Sequence, residues 1–514
     1  KWSALASVVT GQPYPTDLEQ AWKSALFNQF HDILAGTSLE AAYDDARDTY
    51  GESMAIADRA LNYAVQSFAW NVRIEQGEGV RPLVVFNPHA WPVRAAVAIE
   101  SNNWKDDAVL VDDQGQPVPF QRIPSTTVTS RVRLCFSADL PALGYRTYRL
   151  LPSGAAGTFT TVTASDGVLE NARFRLEIDT ETGYITRLYD KQAQVEAFTG
   201  NAAYPVVIED TSDTWSHNVF KFDKAIGAFK AVRVKLAEHG PVRSVIRVTS
   251  TYGESTLIQD FTMYPDRDQI DVHVVVDWRE QFKLLKLRFP VNVKFMRVTT
   301  ETAYGHLDCA ANGDEMPFLG WVDVSGTSRD KEVPYGVSLM NDAKYSLDVN
   351  VRDIGLTVLR SPAYAHHIPA VIDPDRLNSF TDQGIQRFSY SLLAHSGGWE
   401  TSGTVQRAAE LNEAPVALFA TFHPDGALPQ AASYIDVQPA NVAVSVLKQA
   451  EDGDDLIVRA YETSKTATRA VIRLPHLKRE ISADFAPCEI KTFRVPRDAS
   501  QPVTETNMLE WDLE

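Results

Sequence analysis

The stretch Asn28-Gln-Phe-His-Asp-Ile-Leu-Ala-Gly-Thr-Ser38 decides how the N-terminal part of the chain folds, because it separates two helical patterns. Before it, apolar residues recur at three- and four-residue spacing after a capping box at Thr16-Asp-Leu-Glu19. The pattern stops at Gly36, a residue type favoured just past a helix end. A second capping box, Thr37-Ser-Leu-Glu40, begins a pattern that predicts a long helix to near Arg73. The sequence therefore predicts an antiparallel helical hairpin, joined by a third helix from before Thr16 into a short bundle.

His31 and Asp32 are the candidate functional pair within this stretch. The first pattern runs to Ile33 and predicts that His31 lies in the last full turn of a helix, where the dipole favours imidazolium. A histidine there can also present a ring nitrogen to a metal, with the adjacent carboxylate orienting ligands or substrate. From the spacing alone, a helix-capping histidine beside a solvated aspartate is the more common arrangement.

The composition describes an acidic chain with ample material for packed cores. Its 514 residues are 44% hydrophobic and carry a net charge of −18, a length typical of about three domains. This charge argues against nucleic acid or an anionic membrane as a partner and favours a neutral substrate. The three cysteines, Cys135, Cys309 and Cys488, form neither a disulfide framework nor a zinc knuckle, which favours the cytoplasm. No apolar run approaches the roughly 18 residues of a membrane span, and no signal peptide is visible.

Changes in sequence pattern predict an α+β multidomain protein, with a helical bundle followed by all-β domains. Gly- and Pro-containing linkers at 76–79 and 152–157 separate these regions. Strict alternation in Ile270-Asp-Val-His-Val-Val-Val-Asp-Trp278 is typical of a strand with one buried face, and it predicts a large antiparallel β-sandwich. The predicted domains are the helical bundle at 1–78, a small β-sandwich at 79–152, the large sandwich at 158–428 and a small β domain at 429–514.

Two further polar segments are candidates for chemistry. Asp210-Thr-Ser-Asp-Thr-Trp-Ser-His217 combines acids, hydroxyls and an aromatic ring, as sugar pockets do, so Trp215 and His217 are candidate substrate-binding residues. A plain polar loop is the alternative. His366-His367 could bind a metal but lacks a third nearby ligand, and a surface loop is the more common arrangement; His306 is undecided.

Several segments of the chain resemble glycoside hydrolase family 38, the retaining α-mannosidases. They are Asn28–Ser38 with the following Tyr43-Asp-Asp-Ala46, Thr182-Gly-Tyr-Ile-Thr-Arg-Leu-Tyr-Asp-Lys191, Leu356-Thr-Val-Leu-Arg-Ser-Pro362 and Phe388-Ser-Tyr-Ser-Leu-Leu-Ala-His395. The resemblance implies a dominant β supersandwich. It also implies that His31 is a ligand of a zinc ion, with cobalt as an alternative metal, and that Asp32 contacts the sugar.

The resemblance further implies that the nucleophile, the acid/base and the other metal ligands lie in an N-terminal α/β domain. We therefore expect no catalytic residue in this chain, which opens without an initiator Met and is interpreted as the C-terminal portion of a longer protein, inactive alone. Its expected partners are a mannose-containing oligosaccharide and that α/β domain, and a homo-oligomer is left open. The alternative function is a non-catalytic carbohydrate-binding or structural β-sandwich protein.

Overall fold

The computed structural model describes residues 1–101, 104–155, 157–216, 218–364, 375 and 377–513. The helices in these residues are α1 (Trp2–Val9), α2 (Leu18–Phe27), α3 (His31–Leu34), α4 (Glu40–Asn71), α5 (Trp399–Ser402) and α6 (Thr404–Asn412), with a 3₁₀ turn at Pro475–Leu477. The predicted long helix is confirmed as α4, whose 32 residues extend about 48 Å. In the described part of the chain, none of these helices combines the length and the apolar character that crossing a bilayer requires.

Most of the remaining regular structure is β-strand. The strands are β1 (Arg81–Asn87), β2 (Val93–Ser101), β3 (Val109–Asp112), β4 (Phe120–Pro124), β5 (Val132–Leu140), β6 (Gly144–Leu151), β7 (Thr163–Ser165), β8 (Val168–Glu170), β9 (Phe174–Ile178), β10 (Ile185–Asp190), β11 (Val195–Glu196), β12 (Tyr204–Glu209), β13 (Ala225–Ala228), β14 (Lys230–His239), β15 (Ser244–Tyr252), β16 (Ser255–Met263), β17 (Ile270–Trp278), β18 (Lys283–Pro290), β19 (Val293–Thr302), β20 (Gly305–Cys309), β21 (Asn312–Pro317), β22 (Trp321–Ser328), β23 (Pro334–Asn341), β24 (Ser346–Asn350), β25 (Asp353–Ser361), β26 (Gly384–Ser396), β27 (Val416–Phe419), β28 (Ala431–Ser433), β29 (Asp436–Gln438), β30 (Val442–Gln449), β31 (Leu456–Glu462), β32 (Thr468–Leu474), β33 (Arg479–Phe485), β34 (Ile490–Val495) and β35 (Thr504–Thr506). This content confirms the predicted α+β class with a dominant β component.

The chain divides into two compact units that each combine separated segments. The first unit contains Lys1–Lys23, Gly51–Phe159 and Glu413–Glu514, and the second contains Ser24–Tyr50 and Thr160–Asn412. In the first unit, β1 lies between β6 and β27, and β28 pairs with the other side of β6. β27 and β28 lie on either side of the predicted boundary after residue 428. Both share one sheet with β1 and β6 of the predicted 79–152 domain. The division into four consecutive domains stays a prediction.

The second unit contains the predicted large antiparallel sandwich. A nine-stranded sheet has the order β14-β15-β16-β17-β26-β23-β22-β19-β20, and a six-stranded sheet has the order β13-β12-β18-β25-β24-β21. Alternate residues of β17 and β18, such as Val274 and Leu287, belong to one shared hydrophobic core. The alternation predicted for Ile270–Trp278 is confirmed by its burial pattern. Burying one face of each sheet in this way is the usual means of stabilising an antiparallel sandwich.

Candidate functional site

The bend between α2 and α4 contains a separate short helix, α3. We predicted one continuous helix through Ile33, and this is wrong, because α2 ends at Phe27 and the four-residue α3 begins at His31. Asn28, the first residue after α2, has a buried side chain that donates a hydrogen bond from Nδ2 to Thr49 Oγ1 at 2.6 Å. Asparagine has a low helix propensity, and this tertiary contact holds Asn28 at the position where α2 has ended. His31 therefore starts a short helix, so the predicted stabilisation of imidazolium by a helix C-terminus loses its basis.

His31 presents its ring outward at the bend. Its side chain is 79% exposed, and its Nε2 lies 3.4 Å from Asp32 Oδ2. The ring of Phe30 lies beside the imidazole, with 4.3 Å between the ring centroids. The bend thus offers an accessible imidazole with a carboxylate next to it, an arrangement that suits metal coordination or proton transfer.

Asp32 is held by the residues that close the bend. Thr37 Oγ1 donates to Asp32 Oδ1 at 2.9 Å, and the Thr37 N–H donates to the Asp32 carbonyl at 2.9 Å. Tyr43 OH donates to the same carbonyl at 3.2 Å and accepts from the Ser38 N–H at 3.0 Å. Gly36 has a φ of +78°, a conformation that favours glycine, and this lets the chain reverse within the bend. Thr37, predicted to cap α4, instead orients the aspartate.

Tyr43 stays a neutral phenol beside this carboxylate. Burial raises the pKa of Tyr43, a backbone hydrogen bond from Ser38 opposes the shift, and the nearby Asp32 charge adds to it. Its ring lies 5.9 Å, centroid to centroid, from the ring of Tyr364. Tyr43 is therefore a fixed hydrogen-bonding support for the Asp32 backbone.

The loop at 210–216 reaches the same bend. Trp215 Nε1 donates to the Thr37 carbonyl at 3.2 Å, and its backbone N–H donates to Asp213 Oδ1 at 2.9 Å. The indole remains 56% exposed, so it can offer an apolar face to a ligand. The structure thus places the predicted Trp215 beside the residues that hold Asp32. His217, the other predicted residue of this segment, lies outside the described residues.

Arg360 anchors this loop and was not identified as a site residue from the sequence. Its Nε donates to Asp210 Oδ2 at 2.6 Å, and its Nη2 donates to the Asp213 carbonyl at 2.9 Å and to Ser212 Oγ. The guanidinium also lies over the ring of Phe222, 5.0 Å from its centroid. Arg360 is on β25, inside the Leu356–Pro362 motif that resembles the family. Arg360 is the single charged residue of that motif, and this was the available signal.

Among the other histidine candidates, His306 is described, and it contacts a different part of the second unit. His306 is buried against Trp399, with ring centroids 4.5 Å apart, and His366 and His367 lie outside the described residues. Among the described residues, no group of three or more His, Cys, Asp or Glu side chains is placed to hold a metal ion. Here the bend supplies one exposed imidazole, one oriented carboxylate and one exposed indole.

Three family models match different parts of the chain. The middle domain of alpha mannosidase matches residues 2–68, which include the bend. The C-terminal domain of glycosyl hydrolases family 38 matches residues 169–375, and the C-terminal beta sandwich domain of that family matches residues 441–513. All three descriptions refer to one group of enzymes, and the matches follow one another along the chain.

Relatives and solved structures agree with these matches. Alpha-mannosidase G of Dictyostelium discoideum is 23% identical over 88% of this chain and 43% of its own length. Human alpha-mannosidase 2C1 is 25% identical over 87% of this chain and 40% of its own length. The chain therefore spans about two fifths of these curated relatives.

The fold itself recurs in crystal structures. An alpha-mannosidase from Enterococcus faecalis V583 matches with a TM-score of 0.79 at 15% identity, covering 96% of this chain and 65% of that one. A protein in glycosyl hydrolase family 38 from Enterococcus faecalis matches with a TM-score of 0.81 at 16% identity, covering 96% and 68%. Because three consecutive models of these enzymes match the sequence, the chain belongs to glycoside hydrolase family 38.

Proposed function

We propose that this chain acts in a retaining, metal-dependent α-mannosidase, which hydrolyses terminal α-D-mannosides of oligosaccharides. In this proposal His31 contributes an imidazole to the metal site, and the bend contributes part of the sugar pocket. The observation that carries the proposal is the exposed His31 with Asp32 and Trp215 beside it, in a chain of family 38. Its relatives are named as alpha-mannosidases.

The side chains at the bend fit one ligand of a metal site. A catalytic zinc site uses about three protein ligands, and an exposed imidazole beside a carboxylate is suitable as one of them. The proposed zinc ion, with cobalt as the alternative, would take its other donors from groups that are not among the described residues. When bound, such an ion would hold the vicinal hydroxyls of mannose and favour distortion of the ring.

Asp32 and Trp215 fit the recognition of a sugar. Asp32 Oδ1 accepts from Thr37, and Oδ2 remains placed to accept a hydrogen bond from a sugar hydroxyl. The indole N–H of Trp215 is used on the Thr37 carbonyl, so the exposed ring can pack on the apolar face of a sugar. His217 stays a predicted sugar contact. Neither Asp32 nor Trp215 is assigned to bond cleavage, which requires two carboxyl groups about 5 Å apart.

The apolar side chains around His31 support the proposal that another part of the intact enzyme packs against this surface. Leu26, Phe27, Phe30 and Leu34, which are near His31 in the sequence, are each more than half exposed, and an apolar patch of such side chains is typical of an interaction site. We propose that an α/β domain of the same enzyme covers this patch and supplies the nucleophile, the acid/base and the remaining metal ligands. A cytoplasmic location is proposed from the small, odd number of cysteines and their wide spacing in the sequence.

A substitution at the bend tests the proposal in the intact enzyme. His31→Ala should reduce zinc retained after dialysis and hydrolysis of a chromogenic α-mannoside by at least about 100-fold, because losing a ligand costs at least as much as losing a residue that orients one. His273→Ala is the matched control, since His273 is an exposed histidine on β17 of the same unit. Unchanged zinc and activity in His31→Ala would support the non-catalytic alternative instead.

The 514 residues alone provide a second test. This chain should neither retain zinc tightly through dialysis nor hydrolyse the mannoside, because it supplies one of the proposed donors. Robust turnover by these residues alone would overturn the assignment of cleavage to a separate domain.

A further inference from the structure

One row of residues crosses the six-stranded sheet of the second unit on the face opposite its core. Tyr204 of β12 is opposite Arg288 of β18, which is opposite Gly355 of β25. The row continues with Asp348 of β24 opposite Gly355 and with Glu315 of β21 opposite Asp348. Residues opposite one another on adjacent strands share a face of the sheet, so their side chains can interact.

A buried charge network fixes the middle of this row. The Lys286 side chain is fully buried and pairs with the carboxylates of Glu315 and Asp348. Asp348 Oδ1 also accepts a hydrogen bond from Arg288 Nη1 at 2.6 Å. Buried charges cost several kcal/mol each unless they are paired with good geometry. The network therefore holds Asp348, and through it Arg288, in one position.

Gly355 is what allows Arg288 and Asp348 to meet across the intervening strand. A Cβ atom at Gly355 would lie 2.5 Å from Arg288 Nη1 and 2.7 Å from Asp348 Oδ2. Real Cβ atoms do not approach other atoms this closely, so any other residue would push the pair apart. The position of the Arg288 guanidinium therefore depends on the absence of a side chain at Gly355.

Arg288 forms one wall of a cleft of about 300 Å³ on this face. The cleft is also lined by polar and aromatic side chains, namely Asn201, Tyr204, Asp223, Asn350 and Asp353. Ligand pockets range from about 300 to 1,000 Å³, so this volume suits a ligand the size of one sugar ring. The lining shares no residue with the bend at 28–38.

The polar groups of the cleft retain free hydrogen-bonding capacity. Asn201, Asp223 and Asn350 are exposed and form no side-chain hydrogen bond with the described residues. Asp353 Oδ1 accepts from the Phe289 N–H at 3.1 Å, whereas its Oδ2 lies 4.0 Å from Arg288 Nη1. Burial raises the pKa of Asp353, and the Arg288 charge opposes that shift.

The mixture of groups selects the class of ligand. Two carboxylates disfavour an anion, and the fixed guanidinium of Arg288 disfavours a bare metal cation. Planar amide, carboxylate and guanidinium groups can each bind adjacent hydroxyls, and the ring of Tyr204 adds apolar surface. A neutral polyhydroxylated ring satisfies all of these groups at once.

We propose that this cleft is a second carbohydrate-binding site, which takes one neutral hexose unit and has no part in bond cleavage. The choice of mannose as that hexose rests on the proposed function. The site would hold a further sugar unit of an oligosaccharide on the outer face of the six-stranded sheet.

Methyl NMR on the full chain tests the inference at the cleft itself. Val206 and Ile208 line the cleft, so their ¹³C-methyl signals should shift saturably when methyl α-D-mannopyranoside is added. The double variant Asp223→Ala/Asn350→Ala removes two exposed groups and should weaken this binding about fivefold to tenfold, since each net hydrogen bond contributes modestly. Glu181→Ala, which removes an exposed acid elsewhere in the unit, should leave the affinity unchanged.

The outcomes separate this inference from the proposed function. Methyl signals that do not respond to the mannoside, or an affinity unchanged in the double variant, would overturn the inference whatever the enzyme hydrolyses. A response to inorganic phosphate without a response to the sugar would also overturn it. A saturable, variant-sensitive shift in this chain, together with unchanged zinc and activity for His31→Ala in the intact enzyme, would uphold the inference and refute the proposed function.

Discussion

Arg360→Met should detach the 210–216 loop from the sheet and destabilise the second unit. Asp210, its main partner, has a carboxylate only 1% exposed, and Arg360 Nε bonds to it at 2.6 Å. Removing one partner of a buried ion pair typically costs about 3–5 kcal/mol, because the remaining charge is left uncompensated. Ser212 still donates to Asp210 from both its N–H and its hydroxyl. We therefore expect the lower end of that range, about 3 kcal/mol.

Urea unfolding followed by tryptophan fluorescence measures this cost. Asp210→Asn and the double variant complete a cycle, in which the double variant should be less destabilised than the sum of the single variants by about 1–3 kcal/mol. Arg233→Met is the matched control: Arg233 is exposed on β14, and its loss should change the unfolding free energy by less than about 0.5 kcal/mol. Strict additivity in the cycle, or an Arg360→Met protein as stable as the control, would refute the reasoning.

Three further substitutions have defined outcomes. Gly355→Ala should cost about 1–3 kcal/mol in urea unfolding and abolish the cleft methyl shifts, because its Cβ would separate Arg288 from Asp348; wild-type stability would contradict this. Burial raises the pKa of the Glu301 carboxyl in the folded protein. The protonated carboxyl therefore adds to the free energy of unfolding below the ordinary carboxyl pKa, and this contribution is lost as the pH rises through the raised pKa. Glu301→Gln should therefore be more stable than wild type at pH 7 and lose that advantage near pH 4 in thermal unfolding; a constant difference would contradict the assignment. Asp32→Asn in the intact enzyme should raise KM for a chromogenic α-mannoside about tenfold while zinc content is kept, and an unchanged KM would remove Asp32 from the pocket.

Local pattern was enough to predict much of the fold. The alternation in Ile270–Trp278 identified both the strand and its buried face, and the structure has β17 with the same bounds. The glycine-containing bend and the long helix after it were also predicted, with the start of α4 displaced by three residues to Glu40. These features depend on neighbours a few positions apart, and a sequence displays such neighbours directly.

The break after α2 is a feature that the spacing of apolar residues does not predict. The apolar spacing continues through Ile33, yet α2 ends at Phe27, and the next residue, Asn28, is hydrogen-bonded to Thr49, 21 positions away. Likewise, Arg360 was not identified as a site residue, because its partner Asp210 lies 150 positions away. The periodicity of apolar residues gives no information about contacts between residues that are far apart in the sequence.

By itself, the sequence determined the long helix α4, the strand-rich remainder, the family and the position of His31 at a bend. Only the tertiary structure decided that Trp215 meets Thr37, that Arg360 holds the loop carrying Trp215, and that Tyr204, Arg288 and Asp348 form one row. The physical reason is that side-chain alternation specifies which face of a strand is buried, whereas the choice of neighbouring strand depends on long-range packing. In the six-stranded sheet β18 lies between β12 and β25, so residues distant in the chain become adjacent there.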